Sequence, residues 1–453
     1  MGIAKDFIFG TATSSFQIEG GSKEDGRSPS IWDDFCQIPG RVLNGHTGET
    51  ACDHYHRYKE DIARMHELGA DSYRFSISWS RIFPQQGIYN PKGMEFYKGI
   101  LNELKRYHMT AMVTLYHWDL PSWAQRRGGW LNRESVNWFL EYCKKCFEEL
   151  DNDVEFWITH NEPFCASFVS YFEGRHAPGH KHLEEAVKAA HHILLSHGRA
   201  VQLYRKCSGK KQIGIALNMT PAYPATDSFA DQLAANNRNG YICRWFLDAV
   251  FKGRYPKDMV NLYAGQCKID FSFIEDGDLG QIAEPCDFLG INYYFIDLIE
   301  YDLTNILLSR KAYYSTYKQT DMGWDIGVEE FIQLITWIRK EYTTLPVYIT
   351  ENGSAWDDTV DHGEIHDIDR AEYLIKHLEA VEQMNDLGLL VKGYYYWSFL
   401  DNFEWAWGYS KRFGLVYVNY ETQERKNKDS FYTYQKYISQ AKQSKGNFNQ
   451  ERE

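Results

Sequence analysis

Eight short apolar runs of strand-forming residues alternate along this chain with eight longer stretches of helical periodicity. The strand-like runs are Phe7–Gly10, Ser72–Trp79, Ala111–Trp118, the run ending on Glu162, Ile213–Asn218, Phe288–Tyr294, the run ending on Glu351, and Lys392–Phe399. The helical stretches are Asp53–Leu68, Gly93–Arg106, Glu134–Leu150, Leu183–Tyr204, Asp227–Tyr263 (mostly helical), Glu329–Tyr342, Arg370–Leu387 and Ser430–Gln443. A helix between successive strands returns the chain to run parallel to the strand before. Eight such units close most economically into one α/β domain, a single (β/α)8 TIM barrel over 1–453, with its active site at the C-terminal ends of the strands. An open doubly wound sheet would carry a glycine-rich phosphate loop after its first strand, and no G-x-G-x-x-G occurs. Gly21–Ser28 approaches a Walker motif, but Arg27 stands in the lysine position and a loop precedes it. The polar segment 444–453 reads as a frayed tail.

Two of the strands end in the same way. Val347–Gly353 reads Val-Tyr-Ile-Thr-Glu-Asn-Gly, four strand formers stopping on Glu351 before a glycine. Glu155–Pro163 repeats the design, with Glu162 followed by proline. Carboxylates at barrel strand ends lie on the rim where catalytic groups sit, and the commonest use of such a pair is hydrolysis of a glycosidic bond. The other strand ends carry Gln17, Arg74, His117, Asn161, Asn218, Tyr294 and Trp397. Each has an ordinary explanation, Arg74 as a structural ion pair and His117 as a satisfied core histidine. Their concurrence at one rim suits a neutral polyhydroxylated ligand, whose hydroxyls need hydrogen-bonding groups and whose C–H face needs an indole.

Composition narrows the partners. A net charge of −13 argues against nucleic acid and anionic membranes. Aromatics make up 16% of the chain, enough to serve both core and sugar faces. The first residues contain no secretory core and no window is long enough to span a bilayer, so a soluble, cytoplasmic protein is expected. The nine cysteines are scattered and odd in number. Cys143 and Cys146 fall in a helical stretch and are expected to be buried, inert thiols. Asp53-His54-Tyr55-His56 is the best metal-like cluster, but i and i+2 on a helix do not face one ion. No metal and no cofactor is expected.

Seven motifs give a more specific reading: Phe9–Gly20 (FGTATSSFQIEG), Tyr73–Arg81 (YRFSISWSR), Tyr116–Pro121 (YHWDLP), Thr159–Pro163 (THNEP), Gly290–Tyr294 (GINYY), Ile349–Gly353 (ITENG) and Trp397–Trp405 (WSFLDNFEW). With these, in this order, the sequence resembles a family 1 glycoside hydrolase of the β-glucosidase type. The resemblance implies a retaining β-glycosidase acting on terminal non-reducing β-D-glucosyl residues of β-glucosides and short cello-oligosaccharides, with side activity on β-galactosides. It implies a carbohydrate as the only partner, neither nucleic acid nor membrane, and leaves room for a homo-oligomer. By motif, Glu351 resembles the nucleophile and Glu162 the acid/base, with Arg74 and Tyr294 holding the nucleophile. Gln17, His117, Trp118, Asn161, Asn292, Glu404 and Trp405 resemble sugar-binding residues, Trp397 the platform beneath the ring, and Trp324 the wall of the leaving-group site. A 6-phospho-β-glycosidase of the same family is the alternative, and Glu404 speaks against it by repelling a phosphate. A non-catalytic sugar-binding protein would have lost one of the two carboxylates. His160 stands where the family usually has an apolar residue, and Phe16 replaces a usual tyrosine. Arg74 and Tyr294 are expected to lower the pKa of Glu351, whose charge in turn raises that of Glu162.

Overall fold

The computed structural model describes residues 6–207 and 209–450, with side chains as far as 443. Eight strands form a closed barrel: β1 (Ile8–Ala12), β2 (Ser72–Ser76), β3 (Thr110–Tyr116), β4 (Phe156–Asn161), β5 (Gln212–Asn218), β6 (Phe288–Asn292), β7 (Val347–Asn352) and β8 (Val391–Trp397). Every neighbouring pair is parallel. The ring closes because β1 pairs with β2 on one side and with β8 on the other, Gly10 opposite Ser72 and Ile8 opposite Gly393. The (β/α)8 architecture expected from the alternation is therefore the one adopted.

Side chains alternate between the barrel interior and the helical layer, and both sides are apolar, which is why the strands read as continuous hydrophobic runs. Inward, Phe156, Phe288 and Tyr348 meet with ring centroids 5.1–5.9 Å apart near the strand starts. They fill the lower barrel. Outward, Trp157, Ile213, Leu289 and Ile349 pack against the helices. The helices carry matching stripes. In α1 (His54–Leu68) Ile62, Met65 and Leu68 are buried. In α2 (Pro91–Arg106) Phe96, Ile100 and Leu104 are. In α3 (Glu134–Leu150) Phe139, Cys143, Cys146 and Leu150 lie on one buried face. Burial pushes both of those thiols far up, so they are core residues. Then follow α4 (Leu183–Lys206), α5 (Trp245–Lys252), α6 (Val328–Glu341), α7 (Ile368–Asp386) and α8 (Asp429–Gln450).

Some boundaries differ from the sequence reading. The stretch Asp227–Tyr263 is not one helix. An α-helix over Phe229–Asn239 passes through a π-helical turn at Gly240–Arg244 into α5, and a further helix, Lys257–Gln266, begins after a break. A second π-helix, Cys165–Glu173, follows β4. Helix α8 continues past Gln443 to Gln450, and 451–453 lie outside the described residues. No described helix is long and apolar enough to cross a membrane.

Candidate active site

The end of β4 contains one residue more than β5 beside it, and the end of β7 one more than β6 and β8. Between Ile158 and Asn161 β4 advances three positions while β5 advances two, Gly214 to Ala216. Between Ile349 and Glu351 β7 advances two while β6 advances one, Ile291 to Asn292. Such bulges re-aim the side chains that follow. On β4 two consecutive residues turn outward to α4, Thr159 to His197 and His160 to Ser196, both at 2.7 Å. Asn161 and Glu162 are thereby delivered to the interior, and Glu162 sits at φ +47° in the left-handed region. On β7 the strand former Thr350 hydrogen-bonds Asn292 Oδ1 at 2.7 Å, and Glu351 faces inward. Gly353 owes its place to close approach, since a Cβ there would lie 1.7 Å from the Trp397 carbonyl oxygen.

Glu351 is buried between two donors. Arg74 Nη1 donates to Oε1 at 2.6 Å and the Tyr294 hydroxyl to Oε2 at 2.5 Å. Arg74 is itself fixed by the Thr350 carbonyl at 2.9 Å and by Asn161 Oδ1 at 2.7 Å. Glu162 is also buried, and its carboxyl accepts from the neutral amide Asn292 Nδ2, at 2.7 Å, and from the Cys165 thiol. Asn292 Nδ2 also donates to Asn161 Oδ1 at 2.9 Å, so Asn161 joins the two carboxyl environments.

The charges follow from that arrangement. Burial, then the negative charge of Glu351, pushes the Glu162 carboxyl up to about 8. Glu351 departs from expectation: burial raises it above the ordinary carboxylate value, and Arg74 and Tyr294 pull it back without overcoming that cost. With a cation and a phenol on Glu351 and an amide on Glu162, the proton of the pair belongs to Glu162.

Both glutamates line one cavity of about 540 Å³ at the top of the barrel. His117, Trp118, Asn292, Tyr294, Trp324, Trp397, Glu404 and Trp405 line it too, so most of the residues singled out from sequence come together. Trp118 (φ +75°) and Trp405 (φ +48°) share the left-handed backbone of Glu162, and their rings meet at 4.6 Å. His117 lies nearly parallel to Trp397 at 5.7 Å; burial, with Arg74, keeps its imidazole neutral. Trp324 stacks on Phe295 at 4.6 Å. Burial and the charges of Glu351 and Glu162 push Glu404 up to about 8, and no donor among the described residues hydrogen-bonds its carboxyl.

Arg74, Gln17 and Asn161 are fully buried beside the cavity. Gln17 is fully buried, donating to Asn402 Oδ1 at 3.1 Å and the Phe403 carbonyl at 2.9 Å and accepting from the Ser14 hydroxyl at 2.6 Å. One lone pair on its Oε1 stays unused. His160 resolves the question its position raised: it points away from the cavity into a cage of Phe139, Tyr116 and Trp130, at ring distances of 4.5–5.6 Å. Phe16 stacks on Trp405 at 6.1 Å. His54 turns inward to Asp61, while His56 faces Asp53 and Glu24 at the surface. The sequence reading missed the outer wall, including Cys165, Val169, Glu173, Arg238 and Phe413. These sit in loops and helical segments whose periodicity carries no strand-end signal.

A closed parallel barrel whose rim holds two buried carboxyls among tryptophans and hydrogen-bonding side chains is the frame of a barrel carbohydrase. The sequence profile of glycosyl hydrolase family 1 matches residues 2–443. The chain is 46% identical to beta-glucosidase A of Acetivibrio thermocellus, over 96% of this chain and 97% of that protein. Its structure is similar to the GH1 beta-glucosidase from Exiguobacterium antarcticum B7, with a TM-score of 0.96 at 53% identity, covering 98% of this chain and 99% of that one. It is also 35% identical to a 6-phospho-beta-galactosidase of Clostridium acetobutylicum, over 95% and 96% of the two chains. The chain belongs to glycosyl hydrolase family 1 and is a glycoside hydrolase.

Proposed function

We propose that the protein is a retaining β-glucosidase that removes terminal non-reducing β-D-glucosyl residues from β-glucosides and short cello-oligosaccharides, with side activity on β-galactosides. The observation that carries this reading is the unequal grip on two carboxyls in one cavity: a guanidinium and a phenol on Glu351, a neutral amide on Glu162. Charge therefore stays on Glu351 and the proton on Glu162. Glu351 attacks the anomeric carbon while Glu162 gives its proton to the departing glycosidic oxygen. The ester formed at Glu351 carries no charge, so the pKa of Glu162 falls and it takes a proton from an incoming water. That water displaces Glu351, and two inversions give net retention.

The remaining residues bind the sugar in this reading. His117, Trp118, Asn161, Asn292, Glu404 and the free lone pair of Gln17 serve its hydroxyls. Trp397 and Trp405 take its apolar face, and Trp324 flanks the leaving group. Proton NMR of the first-formed sugar from an aryl β-glucoside tests the mechanism. The β-anomer is expected first, and an initial α-anomer overturns it.

The kinship with a 6-phospho-beta-galactosidase raises a second substrate class, and Glu404 weighs against it. Its carboxyl has no cationic partner in the described cavity wall, and the nearby Lys411 Nζ is held by the Asp321 carbonyl at 2.7 Å. A phosphate there would lose its water beside a carboxyl with no cation to replace it, at a cost of several kcal/mol. The 6-phosphate of an aryl β-glucoside is expected to react orders of magnitude more slowly than the free glucoside. A kcat/KM favouring the phosphate would overturn the substrate and leave the mechanism standing.

A further inference from the structure

Three Asn-Gly pairs occur in the chain, at Asn44-Gly45, Asn239-Gly240 and Asn352-Gly353. This dipeptide leaves a backbone nitrogen free to attack the side chain before it, because glycine sets no Cβ beside the attacking atom. The attack also needs an unengaged side-chain amide and a backbone that can rotate to bring nitrogen and carbon together. The fold treats the three pairs differently.

Asn352 directly follows Glu351 and is fully buried. Its Nδ2 donates to the Tyr293 carbonyl at 2.6 Å and the Tyr373 hydroxyl at 3.0 Å, and its Oδ1 accepts from the Tyr394 hydroxyl at 2.7 Å. Asn239 exchanges two hydrogen bonds with the Ala222 backbone, at 2.9 and 2.7 Å, and the Gly240 amide is bonded within the helix to the Asn236 carbonyl. Asn44 has no such restraint. It is exposed in a single 3-10 turn, Leu43–Gly45, and its side chain hydrogen-bonds nothing among the described residues. Gly45 has nothing within 4 Å of where a Cβ would stand. Two hydrogen bonds hold the turn, the Gly45 amide to the Val42 carbonyl at 3.1 Å and the His46 amide to the Leu43 carbonyl at 3.3 Å. Local opening of so small and exposed a unit is easy.

The turn also braces the active site. His46 Nδ1 accepts from the Tyr409 amide at 3.0 Å, and the Tyr409 hydroxyl donates to the Thr47 carbonyl at 2.7 Å. Gly408, at φ +56°, packs so closely that a Cβ there would lie 2.4 Å from the His46 imidazole. These contacts support the loop after β8 that carries Glu404 and Trp405, where the Glu404 amide donates to the Gly408 carbonyl at 2.7 Å.

We propose that Asn44 is a site of spontaneous deamidation and that its conversion disturbs the His46–Tyr409 brace beneath the Glu404 loop. The Gly45 nitrogen attacks Cγ of Asn44. A new C–N bond forms as the bond to Nδ2 breaks, and Nδ2 leaves as ammonia with the proton given up by the Gly45 amide. Water then opens the succinimide at either carbonyl. One product is aspartate. The other is isoaspartate, whose backbone runs through the side chain and is one carbon longer, two residues before His46. Both place a carboxylate where an amide stood.

The test ages wild type and Asn44→Gln side by side in mildly alkaline buffer, following tryptic peptides by mass spectrometry and kcat/KM on an aryl β-glucoside. In the peptide Val42–Arg57 Asn44 is the one amide side chain, so conversion there is unambiguous. Asn44 is expected to convert about tenfold or more faster than Asn239 and Asn352. In denaturant the three rates should converge, since only folding separates them. Wild-type kcat/KM should fall in step with conversion, while Asn44→Gln, which would have to close a larger ring, keeps its amide and its activity. Conversion at Asn239 or Asn352 as fast as at Asn44, none at Asn44, or a rate difference that persists in denaturant would overturn the assignment. Full activity in protein converted at Asn44 would overturn the link to the Glu404 loop.

Discussion

At the end of β4 and again at the end of β7, one inserted residue turns a glutamate out of the strand and into the cavity. At β7 the glutamate meets Arg74 and Tyr294; at β4 it meets Asn292 and lies on left-handed backbone. The backbone device is shared, so it sets where the carboxyls stand. The difference lies in the neighbours, and the neighbours decide which carboxyl holds the proton. Two identical side chains in equally dry surroundings are thus held differently, one by a cation and a phenol and the other by a neutral amide.

The largest expected effect comes from removing the charged member. Glu351→Gln should keep the fold and lose roughly 10⁴-fold or more in kcat, since the covalent step disappears. Near-normal turnover by a folded variant would reject the nucleophile assignment. Next is the cation that separates the two sites. Arg74→Met leaves Glu351 buried without its partner and should cost about 3–5 kcal/mol of stability in denaturant unfolding. A loss below about 1 kcal/mol, the worth of a surface pair, would mean that Arg74 does not organise the pair.

A smaller effect concerns the protonated member. Glu162 must hold its proton for the first step, so kcat/KM should fall as pH rises through about 8. The Asn292 amide favours the ionised form of Glu162, so Asn292→Ala should move that limb to higher pH, by up to about one unit. A limb that stays put or moves to lower pH would show that another group, Glu404 being the nearest in value, controls it.

The smallest effect is on stability. A carboxyl raised in the folded state binds a proton that the unfolded chain has already lost, so folding stability falls as pH climbs from the ordinary carboxylate range to about 8. Glu162→Gln removes that penalty and keeps an acceptor for Asn292. It should raise Tm by a few degrees at pH 8 and hardly at all at pH 5. Equal Tm changes at both pH values would show that Glu162 is not buried as a strained acid.

Much of this was legible before any coordinates. The barrel showed in the alternation of periods, and the glutamates showed as carboxylates stopping strands beside a glycine or a proline. The outer wall did not show, because Glu173 and Arg238 stand at the ends of helical turns rather than strands. Gln17 was read as facing the ligand; three of its hydrogen-bonding positions are spent on Ser14, Asn402 and Phe403, a positioning that only the folded chain displays. The break-up of Asp227–Tyr263 was invisible because a π-turn keeps the apolar character of the helix it interrupts.

Element type, strand order and the position of both carboxylates on the rim could be read from the chain itself, because apolar period and chain breakers act over a few residues. Which way the strand-end side chains face, and which carboxyl keeps its proton, could not. The inserted residues show only against the register of neighbouring strands. The cation and the phenol that act on Glu351 lie 277 and 57 positions away in sequence, and only closure of the barrel brings them to 2.6 and 2.5 Å.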